Sequence, residues 1–143
     1  MIKAQEVSCM SNMTDVHDTP RTGVLPCSGA CNVGDMTVKV AGTLAAERSD
    51  IPYVCVLGLP LGIENIVNKA EGTSQYVALN GCEVACVTKA LQSIGVGPDR
   101  ELCLTKDFAI KKSGDYRDKH RLEEVVERIE QVVNALRLTC LNK

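Results

Sequence analysis

Four of the eight cysteines in this 143-residue sequence form two pairs of identical spacing, Cys27-x-x-x-Cys31 and Cys82-x-x-x-Cys86. The others are Cys9, Cys55, Cys103 and Cys140. Thiolates coordinate soft metal ions and attack electrophiles, so clustered thiols point to metal binding or thiol redox chemistry. The first thirteen residues carry no apolar run behind a basic start, and no secretory signal is expected. That implies a cytoplasmic address, where thiols stay reduced and read as metal or redox groups before disulfides.

Competing chemistries lack their residues. There is no Gly-x-x-x-x-Gly-Lys phosphate loop, and Gly58-x-x-x-Gly62 is not Gly-x-Gly-x-x-Gly. Residues 28–34 contain no arginine, which removes a Cys-x5-Arg oxyanion loop beginning at Cys27. Net charge is -2, with three Tyr, one Phe and no Trp, so neither a basic face nor a stacking platform for nucleic acid is expected. The longest mostly apolar run, 54–63, is broken by Gly58, Pro60 and Gly62 and is far short of the ~20 residues of a membrane helix.

The elements that must carry the thiols alternate in type. Short apolar runs at 22–26, 51–57, 76–79 and 101–105 read as strands, with Pro52 near the start of the second. Helical periodicity runs over 35–48 (Met36, Val40, Leu44, Ala45), 63–70 and 82–94. A last helix carries the stripe Leu122, Val125, Val126, Ile129, Val132, Val133 and Leu136, opposite a solvated acidic face from Glu123 to Glu130. This order predicts an α/β fold: a small, doubly wound, Rossmann-like or flavodoxin-like parallel sheet of about four strands, with helices on both faces. Residues 1–20 read as a polar lead-in and 21–143 as one domain.

In such sheets, sites form beyond the carboxyl ends of the strands, where strand order reverses. With the order 2-1-3-4, the first and third strands are neighbours. Cys27/Cys31 and Cys82/Cys86 then flank one crevice, with Cys55 nearby. The pattern places Cys82 at a helix N-terminus, where backbone N–H groups favour thiolate, and Cys86 one turn on. Lys89 is a candidate to offset the charge of the thiolates. Cys103 and Cys140 read as small core residues, Cys9 as an exposed thiol, His17 and His120 as solvated, and Asn32 as a helix cap.

The runs Cys27-Ser28-Gly29-Ala30-Cys31-Asn32-Val33-Gly34, Cys55-Val56-Leu57-Gly58 and Asn80-Gly81-Cys82-Glu83-Val84-Ala85-Cys86 together resemble the DGC-domain family. The resemblance covers about residues 24–112 and extends weakly over Leu104 to Asp107 and Ile110 to Lys112; the family's aspartate is here Asn80. It implies zinc binding, with Cys27, Cys55, Cys82 and Cys86 as ligands and Cys31 as an extra donor. The expected role is structural, carrier or sensor. The residues also allow two other readings. One is a redox or sulfur-transfer enzyme with Cys82 as nucleophile and Cys86 or Cys31 as resolving thiol; the other is an iron–sulfur cluster on the same thiols.

Overall fold

The structure is a computed structural model that describes residues 20–142. Cys9, His17 and nearly all of the polar lead-in lie outside the described residues. The elements are β1 (Thr22–Pro26), α1 (Asn32–Glu47), a 3-10 turn (Val56–Gly58), α2 (Glu64–Glu71), β2 (Gln75–Asn80), α3 (Cys86–Ser93), β3 (Arg100–Cys103), α4 (Leu104–Asp107) and α5 (Leu122–Leu141). The three strands form a parallel sheet in the order β1-β2-β3, with Pro26 opposite Leu79 and Asn80 opposite Cys103. Among the described residues no helix is long and apolar enough to cross a membrane.

The sheet separates two apolar clusters because alternate side chains along a strand point to opposite faces. Val24, Val77, Leu79 and Leu102 pack with Met36, Val40 and Leu44 of α1 and with Val125, Ile129 and Val133 of α5. Leu25, Cys27 and Ala78 pack on the other face with Ala70 of α2 and Val87 and Leu91 of α3. All five residues of β1 are buried, as expected of a strand covered on both sides. The α5 stripe buries at 125, 129, 133 and 136, the helical period read from the sequence.

The expected second strand, 51–57, is the main departure. It runs beside β1 on the side away from β2, but it makes only one complete parallel bridge, Val24 to Tyr53. There the Val24 N–H donates to Pro52 O (3.1 Å) and the Val54 N–H to Val24 O (3.2 Å). One repeat earlier, the Thr22 N–H reaches Asp50 O (3.2 Å), but the return bond would need an N–H on residue 52. One repeat later the donor would be residue 26. Both are prolines, so the ladder cannot propagate in either direction. The sheet therefore has three strands rather than four, while β1 and β2 are neighbours as the 2-1-3-4 order requires.

Two helix starts also differ. α1 begins at Asn32 rather than near 35, and α3 begins at Cys86 rather than at 82. Asn32 is not a cap: Cys31 occupies the N-cap position, without a side-chain cap bond. Glu130, expected on the solvated face of α5, accepts from Arg48 at 3.1 Å.

Arg48, just past the end of α1, ties that helix to its surroundings. Its guanidinium donates to both Asp50 oxygens (3.2 and 2.8 Å), to Glu130 and to Asn134 (2.8 Å), and Arg137 of α5 also pairs with Asp50. The Arg48 hydrogen bonds, helped by the charges of Arg48 and Arg137, hold the Asp50 carboxyl below the usual carboxylate range against the opposing effect of burial. A depressed native value stabilises the fold above the unfolded pKa of ~3.9, and that stabilisation is lost as pH falls through the native value. Asp50→Asn is expected to lose roughly 1–2 kcal/mol at pH 7 and to flatten the acid side of the stability profile. Urea unfolding between pH 2 and pH 7 checks this; an unchanged acid limb would contradict it.

Candidate thiol site

β1 hands its last ladder bond to Cys27, whose N–H donates to Leu79 O at 3.0 Å. The side chain of Cys27 thus lies at the carboxyl edge of the sheet, beside the end of β2. Two tight turns follow: Gly29 N–H to Cys27 O (2.8 Å) and Cys31 N–H to Gly29 O (2.9 Å). The Thr37 hydroxyl lies 2.7 Å from both Cys27 O and Gly34 O and anchors the loop to the first turns of α1.

The second thiol loop leaves β2 through Asn80, which is fully buried. Its Oδ1 accepts the Val87 N–H (3.0 Å), and its Nδ2 donates to Thr88 Oγ1 (2.8 Å) and Glu101 Oε1 (3.2 Å). Asn80 thereby clamps the first turn of α3 and sets where Cys86 begins. Ala85, immediately before Cys86, is left-handed at φ 54°, ψ 48°, and its N–H closes a turn onto Cys82 O (3.0 Å). Cys82 is therefore in a turn, not at a helix N-terminus, and the expected one-turn spacing of Cys82 and Cys86 on a single helix face does not hold. Cys86 is the thiol at the helix start.

Glycines let the two loops meet. A Cβ on Gly34 would lie 2.3 Å from the Gly29 carbonyl oxygen, and one on Gly81 would lie 3.0 Å from the Gly34 nitrogen and the Val33 carbonyl carbon. Backbone packs on backbone here, without side chains between.

The result is a thiol cluster of unequal exposure. Cys27 and Cys31 are buried, Cys82 is half-buried and Cys86 is exposed. The Gly81 and Gly29 N–H groups and the Cys86 thiol are near enough to act on the Cys27 thiol. Burial pushes the Cys27 thiol above its ordinary value; the two backbone N–H groups oppose this and Cys86 adds to it. Lys112 Nζ lies 3.6 Å from Cys82 Sγ. That contact, and then the charges of Cys82, Cys31 and Cys27, raise the Lys112 ammonium above its usual range.

Cys55 is exposed at the start of the 3-10 turn and is not among the main groups acting on Cys27 or Lys112. Cys103 is the last residue of β3, buried and 3.3 Å from Thr105 Oγ1.

Two residues of the site were not assigned from the sequence. Lys112 is a cation beside the thiols, and Asn32 holds its segment there. The Asn32 side chain donates to Lys111 O (2.9 Å) and accepts the Ser113 N–H (2.7 Å), while the Asn32 N–H donates to Ser113 O (3.0 Å). These three bonds bracket Lys112. The only signal for this segment in the sequence was the weak extension of the family resemblance over Ile110 to Lys112.

The donor set has the chemistry of a soft-metal site, sulfur from two loops at one sheet edge with a cation alongside. As arranged, among the described residues no three His, Cys, Asp or Glu side chains are placed to hold an ion. The thiols are grouped but not closed into a coordination sphere.

Comparison with known proteins agrees with the spacing of these loops. The chain matches the DGC domain family over residues 23–134. The anaerobic and virulence modulator AnvM of Pseudomonas aeruginosa is similar to it, 28% identical over 116 residues that cover 78% of this chain and 87% of the relative. No solved structure matches.

Proposed function

The chain belongs to the DGC domain family, and from that premise we propose that its thiol cluster binds one soft divalent ion, Zn²⁺, at the carboxyl edge of the sheet. The observation that carries this reading is the approach of two cysteine-bearing loops at one sheet edge: the Cys27 N–H donates to Leu79 O at 3.0 Å, a Cβ on Gly81 would lie 3.0 Å from the Gly34 nitrogen, and Lys112 Nζ lies 3.6 Å from Cys82 Sγ. Cys27, Cys82 and Cys86 are the first three donors. Cys31 is assigned as the fourth in preference to Cys55, because it shares the Lys112 charge with Cys27 and Cys82. Zinc would bind as a closed-shell Lewis acid, and Lys112 would offset part of the negative charge of a four-thiolate site. The exposure of Cys86 favours an exchangeable ion, as in a carrier or sensor, over a sealed structural one.

Elemental analysis of purified protein tests the reading. About one zinc per chain is expected, lost in Cys27→Ser and Cys86→Ser and retained in Cys55→Ser. Chelation is expected to leave helical circular dichroism in place, because the helices are held by two apolar clusters built on the faces of the sheet. Metal-free protein with every thiol titrating freely would overturn the proposal. Visible absorbance after anaerobic purification would favour an iron–sulfur cluster instead.

A second reading has one observation of its own, the Cys82–Lys112 contact. A cation beside a half-buried sulfur suits a nucleophile in thiol exchange or sulfur transfer. One cysteine, Cys82, alkylating far faster than the rest in protein without metal would favour it.

A further inference from the structure

We propose that Cys82 and Lys112 form an acyl relay, in which Cys82 takes an acyl group from a small acyl thioester and passes it to the Lys112 amine. Lys112 is thereby a lysine-acylation site. The transfer stands on the geometry of the pair; its consequence for the bound ion rests on the metal reading.

Lys112 Nζ lies 3.6 Å from Cys82 Sγ although the two residues are 30 positions apart. Both ends of this contact are anchored. The Ala85 N–H closes the turn that carries Cys82 (3.0 Å), and the Thr105 N–H donates to Gly81 O (3.3 Å). Asn32 brackets Lys112 through Lys111 O and the Ser113 N–H. Both groups are also reachable from solvent, since Cys82 is half-buried and Lys112 is exposed, whereas Cys27 and Cys31 are buried.

In the first step the Cys82 sulfur attacks the thioester carbonyl carbon. The bond from that carbon to the carrier sulfur breaks, and the carrier thiol departs with the Cys82 proton. The acyl carbon is then one bond from Sγ, in the range where a held nucleophile gains a high effective concentration. Lys112, as the free amine, attacks it; the bond to Cys82 breaks, an amide forms, and the amine proton restores the thiol. The sum is acyl thioester plus lysine amine going to acyl-lysine plus free thiol, with no oxidant. Acylation removes the Lys112 charge, and the thiols lose the cation assigned to offset them.

The test incubates the chelator-treated full chain with acetyl-coenzyme A and follows each lysine by peptide mass mapping. Lys112 is expected to acetylate at least about tenfold faster than Lys69, which is exposed on α2. Cys82→Ser is expected to bring Lys112 down to the Lys69 rate. Lys112→Arg is expected to leave a hydroxylamine-sensitive acetyl group on Cys82. Equal rates at Lys112 and Lys69, or a Lys112 rate unchanged in Cys82→Ser, would overturn the relay. Zinc-loaded protein is expected to be protected, because Cys82 is then a donor. Full acetylation in the presence of bound zinc would overturn that donor assignment and leave the relay standing.

Discussion

Gly34→Ala is expected to destabilise the protein by about 3 kcal/mol or more, at the upper end of what a single added methyl does in a packed interior. The added Cβ would meet three backbone atoms of Gly29, its oxygen at 2.3 Å, its carbonyl carbon at 2.7 Å and its Cα at 2.8 Å. Backbone cannot rotate away as a flexible side chain can. Relief would require moving the Cys27–Cys31 loop off α1, and with it the turn that the Gly29 N–H closes onto Cys27 O. The variant is therefore expected to lose both stability and the close approach of the two cysteine-bearing loops. Gly42→Ala is the control, since it lies in the same helix with nothing within 4 Å of its Cβ position. It is expected to be neutral or to stabilise by up to about 1 kcal/mol through helix propensity. Urea midpoints for the two variants decide the matter, and equal midpoints would contradict the described contact.

Asn32→Leu is the second large effect, expected to cost about 2–4 kcal/mol. The Asn32 side chain is wholly buried and satisfies one carbonyl and one N–H of the 111–113 segment. Leucine would leave the Lys111 carbonyl and the Ser113 N–H without those part-buried partners, and each unmade bond carries a share of the desolvation penalty. Asn32→Asp keeps an acceptor for Ser113 but loses the donor to Lys111, so an intermediate loss is expected. Denaturant unfolding gives the magnitude, and amide exchange at 113 reports the local bond. Unchanged exchange there would count against the role assigned to Asn32.

Much of the fold and part of the site were legible in the residues. Local patterns specified β1 and β2, the α5 stripe and the buried positions of α1, because hydrophobic period is a short-range property. Alternation of element types led to a parallel sheet, and the neighbouring of β1 and β2 brought Cys27 near the Cys82–Cys86 loop. The edge segment at 51–57 was partly legible too. Pro52 announced a missing donor, but the second missing donor, Pro26, matters only once the register against β1 is known.

The chemistry available to the chain, eight thiols with four in two matched pairs, is a property of the sequence alone, as is the DGC spacing that identifies its family. Tertiary structure decided which thiols meet. Cys86 rather than Cys82 opens a helix because Asn80, held by Thr88 and Glu101, captures the Val87 N–H and Ala85 turns left-handed. The Cys27 loop meets the Cys82–Cys86 loop because three glycines allow backbone to touch backbone, and Lys112 joins the thiols because Asn32 binds a segment 79 positions away. Each of these is a contact between distant parts of the chain. No local period encodes them; they exist only after the sheet has brought its strand ends together.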